Sequence, residues 1–342
     1  MLLRTLSVLA LVGFLGAFAS NPSAQTASAS ASLPAQRHEV RAWLLRIHEA
    51  ASHRNFQGTF VVSGGGVVSS ARIAHYSEGK NEFERSEALD GQARFVYRHN
   101  NVVHTVWPGS RVAVVQQRTV ESSFPALLQA GDDRIVDFYD VYAQGIERVA
   151  GHEANLLLVK PKDNLRYGYR LWADRQSGLL LRADVLGEHN EIVESSAFSD
   201  VAINVNPQPD SVLLPMKRLE GYHILRPVLT HTQLEAEGWT MSSLVPGFRQ
   251  VSCVQRPMDG TGVADKTVVE QPVLQTIYSD GLTYVSVFIE PFKPQRHTRQ
   301  LVASVGATQT LMRQHGDWWV TVVGDVPAST LRQFARRLER KK

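Results

Sequence analysis

His48-Glu49 and His53 are the first residues in the chain whose types could hold a metal. A zinc ion held on one helix face needs its two histidines four apart, and these are five apart. At about 100° per residue they point roughly 140° away from each other. His152-Glu153 has no second histidine at the required spacing. Gly64-Gly65-Gly66 leads into a strand-like run and not into Lys-Ser/Thr and a helix, so it reads as a hairpin turn and not a phosphate cradle. No Gly-x-Ser-x-Gly elbow occurs, and no carboxylate pair stands in a frame recognisable for glycoside hydrolysis. The 12 histidines are scattered. The chain therefore reads as a binder and not an enzyme, with no catalytic residue, metal or cofactor expected.

A binder is defined by its surfaces, and these follow from the elements. Residues 39–52 place Val40, Trp43, Leu44, Ile47 and Ala51 at helical spacing, with Arg41, Arg46 and Glu49 off that stripe. From 56 to 205 the period is two, and short strands are separated by Gly64-Gly65-Gly66, Asp90-Gly91, Asn100-Asn101, Pro108-Gly109, Gly151, Asp163-Asn164 and Ser177-Gly178. This pattern predicts a large antiparallel sheet, curled or partly closed, interrupted by a short helix at 122–129. In 166–171 the odd positions are apolar or aromatic and the even ones Arg or Gly, and in 179–184 the odd positions are again apolar. One helix is a small cover for so large a greasy face. Tyr167, Tyr169, Leu171, Leu179 and Leu181 are thus expected to wall a lipid-sized cavity, and an ordinary packed core reads equally well.

The 342 residues suit two domains, and 43% hydrophobic against 20% charged residues suits packed globules. The net charge of +3 is too small for a nucleic-acid partner. Arg4, the apolar run 6–18 and Ala17-Phe18-Ala19 read as a signal peptide over 1–19, followed by a Ser/Ala-rich flexible linker over 20–35. An exported chain follows. Its single cysteine, Cys253, in the strand-like Val251-Ser252-Cys253-Val254, reads as a buried small hydrophobe, with intermolecular pairing as the alternative.

Pro207 and Pro209 interrupt the period and divide a large domain over 36–206 from a linker over 207–219 and a small β-rich domain over 220–342. The small domain's strands are expected at 248–256, 273–278, 283–290, 308–313 and 318–323. A helix opened by Pro327 closes it, with Leu331, Phe334, Ala335 and Leu338 on one face. Residues 327–342 carry a net +5 and the rest of the chain −2. Arg332, Arg336 and Arg340 recur every four residues and, with Arg337, are the candidate contacts to an anionic surface; a solvated helix end is the plainer reading.

Several motifs resemble those of the MucB/RseB family of periplasmic sigma-factor regulators. In the small domain these are Tyr278-Ser279-Asp280-Gly281-Leu282, the turn Leu244-Val245-Pro246-Gly247-Phe248 after Trp239-Thr240, and Val322-Val323-Gly324-Asp325-Val326-Pro327. In the large domain they are Tyr169-Arg170-Leu171-Trp172-Ala173-Asp174, running into 180–186, and Ile203-Asn204-Val205-Asn206. The resemblance implies an α+β, mostly β protein. Its large N-terminal domain would be an unclosed β-barrel with covering helices, similar to the lipoprotein carriers LolA and LolB, joined to a small C-terminal antiparallel sheet with a terminal helix. It also implies a negative regulator. Such a protein binds the periplasmic part of a membrane-spanning anti-sigma factor, shields it from proteolysis, and lets go when lipid or lipopolysaccharide binds. A periplasmic lipid or lipoprotein carrier is the alternative, and a homodimer is left open.

Overall fold

The structure, a computed structural model, describes residues 34–117, 134–257 and 272–341. The expected signal peptide, most of the linker after it and the helix at 122–129 lie outside the described residues. Helix α1 (Arg37–His53) opens the large lobe and buries Val40, Ile47, Ala50 and Ala51, the stripe its spacing dictates. Then come β1 (Phe56–Gly64), β2 (Val67–Glu78), β3 (Asn81–Ala88), β4 (Phe95–His99), β5 (Val102–Trp107), β6 (Val112–Gln117), the single turn α2 (Ile135–Phe138), β7 (Tyr139–Val149), β8 (His152–Pro161), β9 (Gly168–Asp174), β10 (Leu180–Leu186), β11 (Ile192–Ile203), α3 (Asp210–Lys217) and β12 (His223–Leu225). The strands form one sheet ordered β12-β6-β5-β4-β3-β2-β1-β11-β10-β9-β8-β7, so its two ends are not bonded to each other. Gly65 and Gly66 make the expected hairpin turn, both at positive φ.

The segment expected as a linker is structured. Helix α3 sets Val212 into the cluster of Tyr76, Phe83 and Tyr97, and β12 extends the large sheet by pairing parallel with β6. The proline pair starts this helix instead of ending the lobe: Pro209 stands at its N-cap, where no N–H is needed.

The small lobe consists of β13 (Thr230–His231), β14 (Trp239–Met241), β15 (Arg249–Arg256), β16 (Val273–Ser279), β17 (Tyr284–Pro291), β18 (Leu301–Val305), β19 (Thr308–His315), β20 (Trp318–Gly324), α4 (Ala328–Arg337) and β21 (Leu338–Arg340). Seven of these strands form the sheet β13-β15-β16-β17-β20-β19-β18, and α4 packs on β19 and β20. Its Leu331, Phe334 and Ala335 join Val287, Ile289, Val320 and Val322 in one core. Cys253 is in that core, 5% exposed and unpaired, and burial pushes its thiol up to about 11.

The helix stops at Arg337. Leu338–Arg340 turns into β21, which pairs with Trp239–Met241. Arg340 is therefore not on a helical strip with Arg332 and Arg336. Its guanidinium lies 5.3 Å from the Trp239 ring centroid and 4.9 Å from that of Trp318, and it donates to the Glu237 carbonyl. Arg337 donates to the Leu244 carbonyl. Of the four candidate arginines, only Arg332 and Arg336 stand exposed on α4.

Candidate functional site: the lobe junction

The five residues expected to wall a cavity do not share one face. β10 gains an extra residue against β9 between Leu180 and Arg182, which breaks the alternation the sequence displays. Tyr169 and Leu171 pack with Leu180, Ala183 and the α1 residues Val40 and Ile47, whereas Leu179 and Leu181 join Phe56, Phe60, Leu156 and Trp172 in a second cluster. Tyr167 belongs to neither; its hydroxyl reaches Gln309 of the small lobe. All five are buried, so α1 and α2 fill the face that was expected to stand open.

Arg166, which the alternation assigns to the wet face, is the most enclosed cation in the described chain, with a side chain 0% exposed. Its Nη1 donates to Asp280 Oδ2 at 2.8 Å, across from the small lobe, where the carboxylate is also 0% exposed. Its Nε and Nη2 donate to Asp163 at 2.9 and 3.0 Å, and Nη2 also donates to the Pro246 carbonyl at 2.8 Å. The rings of Phe138, Tyr139 and Phe248 surround the guanidinium, the nearest centroid 4.6 Å away. Four of its N–H donors thus meet two carboxylates and a carbonyl, which a planar fork can do and an ammonium cannot.

Asp280 is equally engaged. Oδ2 accepts from the Tyr139 hydroxyl at 2.9 Å, and Oδ1 accepts from the backbone N–H groups of Leu282 and Thr283, both at 2.9 Å. Burial, then the Asp280 charge, pushes the Tyr139 phenol well above its ordinary range, and burial does the same to Tyr169. Both phenols stay neutral, and that of Tyr139 donates to Asp280. The turn that presents Asp280 also inserts Leu282 into the large lobe's core, while Leu165, beside Arg166, enters the small lobe's core and its carbonyl accepts from Thr330 Oγ1 at 2.8 Å. Gly247 approaches so closely that a Cβ there would sit 2.7 Å from Arg166 Nη2.

Next to this clasp lies a cleft of about 540 Å³ lined by Leu158, Lys160, Asp163, Arg166, Arg170 and Glu188 among others. Lys160 and Arg170 make no ion pair among the described residues. A second cleft, about 450 Å³, runs between Arg72, Tyr76, Arg85 and Ser211 of α3. A third, about 410 Å³, is lined by Phe60, Val62, Ala71, Ala88 and Trp107, with Asp90 and Arg94 also on its wall. None of the three is lined by the five expected residues. Among the described residues no group of three or more His, Cys, Asp or Glu could hold a metal, and no described helix is long and apolar enough to cross a membrane.

Sequence reasoning missed Arg166 and Asp280 as a pair because 114 residues separate them. One local signal existed: Asp163, three residues before Arg166, is an ion-pair partner within the same turn. The two turns that clasp Arg166 are Val245-Pro246-Gly247-Phe248 and Ser279-Asp280-Gly281-Leu282, the same stretches that carry the small domain's resemblance.

Fold and junction together define a two-lobed, mostly β protein with clefts suited to binding. The chain belongs to the MucB/RseB family: the profile of the MucB/RseB N-terminal domain matches residues 39–216, and that of the C-terminal domain matches 233–339. It is 30% identical over 339 residues to the sigma factor AlgU regulatory protein MucB of Pseudomonas aeruginosa, covering 97% of this chain and 96% of that one. It is 26% identical over 300 residues to the sigma-E factor regulatory protein RseB of Escherichia coli K12, covering 87% and 90%. Among solved structures, MucB in complex with MucA(peri) superposes with a TM-score of 0.62 at 28% identity, over 88% of this chain and 98% of that one.

Proposed function

We propose that this protein is a periplasmic negative regulator of an envelope-stress sigma factor. It binds the periplasmic region of a membrane-spanning anti-sigma factor and shields it from proteolysis, and lipid or lipopolysaccharide relieves the block. The observation that carries this reading is the match of both lobes, over nearly the whole chain, to proteins named as sigma-factor regulators, one of them crystallised with MucA(peri). The cleft beside the clasp supports it: an apolar wall with Lys160 and Arg170 suits an acidic-apolar peptide segment, and its end abuts the Arg166 network that joins the lobes.

Incubating the full mature chain with the anti-sigma periplasmic domain and the protease that cuts it first tests the reading. The parent is expected to slow cleavage, and Lys160→Glu with Arg170→Glu to lose most of that protection. No protection by the folded parent at excess overturns the proposal. The carrier reading draws on the third cleft, whose Phe60, Val62 and Trp107 suit an acyl chain. Fluorescent fatty-acid uptake that Trp107→Glu abolishes, without any protease protection by the parent, favours the carrier. For Arg332 and Arg336, weaker binding of their Gln variants to anionic vesicles at low salt supports a surface contact.

A further inference from the structure

His75 is the one buried histidine among the described residues, 1% exposed. It sits on β2 directly across from Phe56 of β1 and Glu84 of β3, and Glu84 stands across from Arg98 of β4, so the three polar side chains share one face of the large sheet. Its ring stacks on Phe56 with centroids 5.3 Å apart, and Nδ1 lies 2.8 Å from the carbonyl of Arg54, the C-cap of α1. A carbonyl can only accept, so Nδ1 carries the hydrogen and Nε2 is left a lone pair. Among the described residues nothing donates to that lone pair.

A proton taken up in acid must therefore go to Nε2, and its charge is then buried with no acceptor aimed at it. The charged groups facing the ring are Glu84 and Glu82 from β3 and Arg98 from β4; α1 offers the Arg54 carbonyl and β1 the Phe56 ring. Both carboxylates are engaged. The Arg98 side chain, 7% exposed, donates Nη2 to Glu84 and Nη1 to Glu82, and its Nε has no partner among the described residues. Drawing Glu84 across to His75 would strand a second buried cation, which is expensive. Water is the cheaper relief, and it stands at the corner where α1 ends, since His53 and Arg54 are already exposed there.

We infer that His75 is an acid switch: a proton on Nε2 opens the corner between α1 and β1 and lifts the last turn of α1 off the greasy face it covers. Ala50, whose carbonyl accepts from Arg54 N, packs with Phe56, Trp172, Leu179 and Leu181, so this cluster is what acid uncovers. Asn55 remains tied through its carbonyl to Asn204 N at 2.7 Å and through Oδ1 to Ser77 N at 2.8 Å, which confines the opening to the helix end. Burial lowers the His75 pKa and outweighs Glu84, the Arg54 carbonyl and Glu82, which raise it; Arg98 acts with burial. The open corner thus takes the proton before the closed one does. Closure is most stable above the ordinary imidazole range and weakens as pH falls from that range towards the lowered folded value. The inference does not rest on the regulatory reading.

Amide hydrogen exchange of the full mature chain across that range, corrected for the intrinsic rate, tests it against His75→Asn, whose side-chain amide can donate to the Arg54 carbonyl and does not titrate. In the parent, protection of amides 50–54 is expected to fall about tenfold per pH unit between the ordinary and the lowered value, and in the variant to stay level. Burial also lowers His104 and His315, but they titrate in both proteins, so the difference isolates His75. Should His75→Asn fail to fold, the imidazole nitrogen spectrum of the parent decides: a neutral ring with its hydrogen on Nδ1, taking its second proton as helix-end protection is lost, supports the switch. Equal loss of protection in parent and variant overturns it, as does a His75 that carries its hydrogen on Nε2 or takes up its proton with the helix end still protected.

Discussion

At the Arg166 clasp the lobes exchange buried groups, whereas at the tip of the β1–β2 hairpin they meet through bare backbone. The clasp sinks a cation and a carboxylate out of solvent and interlocks Leu165 and Leu282, each in the other lobe's core. At the tip, Gly64 and Gly65 lie so close to Gly306 that a Cβ on either would stand within 3.0 Å of its backbone, and the polar link is Glu194 to Ala307 N. Around the tip Val67, Ile192 and Val305 remain about half or more exposed. A buried ion pair tolerates one geometry, because either charge left alone is expensive; a glycine contact with a solvated rim can open at little cost. The clasp therefore sets how the lobes are joined, and the tip is where they can part.

Removing one charge from the clasp should have the largest effect. Asp280→Ala strands Arg166 in a dry site and frees the N–H groups of Leu282 and Thr283, for an expected loss of about 3–5 kcal/mol in urea unfolding. Replacing both charges, Arg166→Met with Asp280→Leu, should cost clearly less than Asp280→Ala. If the double variant is as unstable as the single one, the stranded charge is not the reason.

Next in size is Gly247→Ala, compared with Gly66→Ala. Both positions have positive φ, 84° and 79°, so both variants carry about 1–2 kcal/mol of backbone strain. A Cβ at Gly66 meets nothing within 4 Å, whereas one at Gly247 collides with the Arg166 guanidinium and the Phe138 ring. Gly247→Ala should therefore melt lower than Gly66→Ala. Equal melting temperatures would mean that Arg166 has room to move.

What the sequence discloses of all this depends on how local the cause is. The Gly65-Gly66 turn and Asn100, at φ 52°, are written into single residue types, because few others adopt positive φ readily, and the hairpins they close were foreseeable. The α1 stripe is equally plain, since 3.6-residue periodicity needs no partner to be seen. The bulge at Leu181 is not, because alternation in one strand says nothing of its register against the next. Arg340 falls in the same class: its four-residue spacing from Arg336 continued a helix on paper, but the exposed edge of Trp239–Met241 drew the chain into a strand. The clasp was invisible for a third reason, since an arginine in an alternating strand is assigned to water unless its distant carboxylate is known.

The smallest effect expected is at the tip, and it depends on pH. Burial raises the Glu194 carboxyl, outweighing the Ala307 N–H, which lowers it, with the Asp325 charge adding a little in the same direction as burial. A carboxyl raised in the folded state holds its proton there longer than in the unfolded chain. Stability from this group is therefore greatest below the unfolded value and falls as pH rises towards the raised folded value, then stays level. Glu194→Gln keeps an oxygen to accept from Ala307 but cannot ionise. The difference in melting temperature between variant and parent should thus grow in the variant's favour as pH rises from the ordinary carboxylate range through the raised folded value, and flatten above it. Other carboxylates titrate in that window, and they do so in both proteins, so the difference isolates Glu194. A difference that is constant with pH would mean the tip is already solvated in the native state, with its carboxylate open to water.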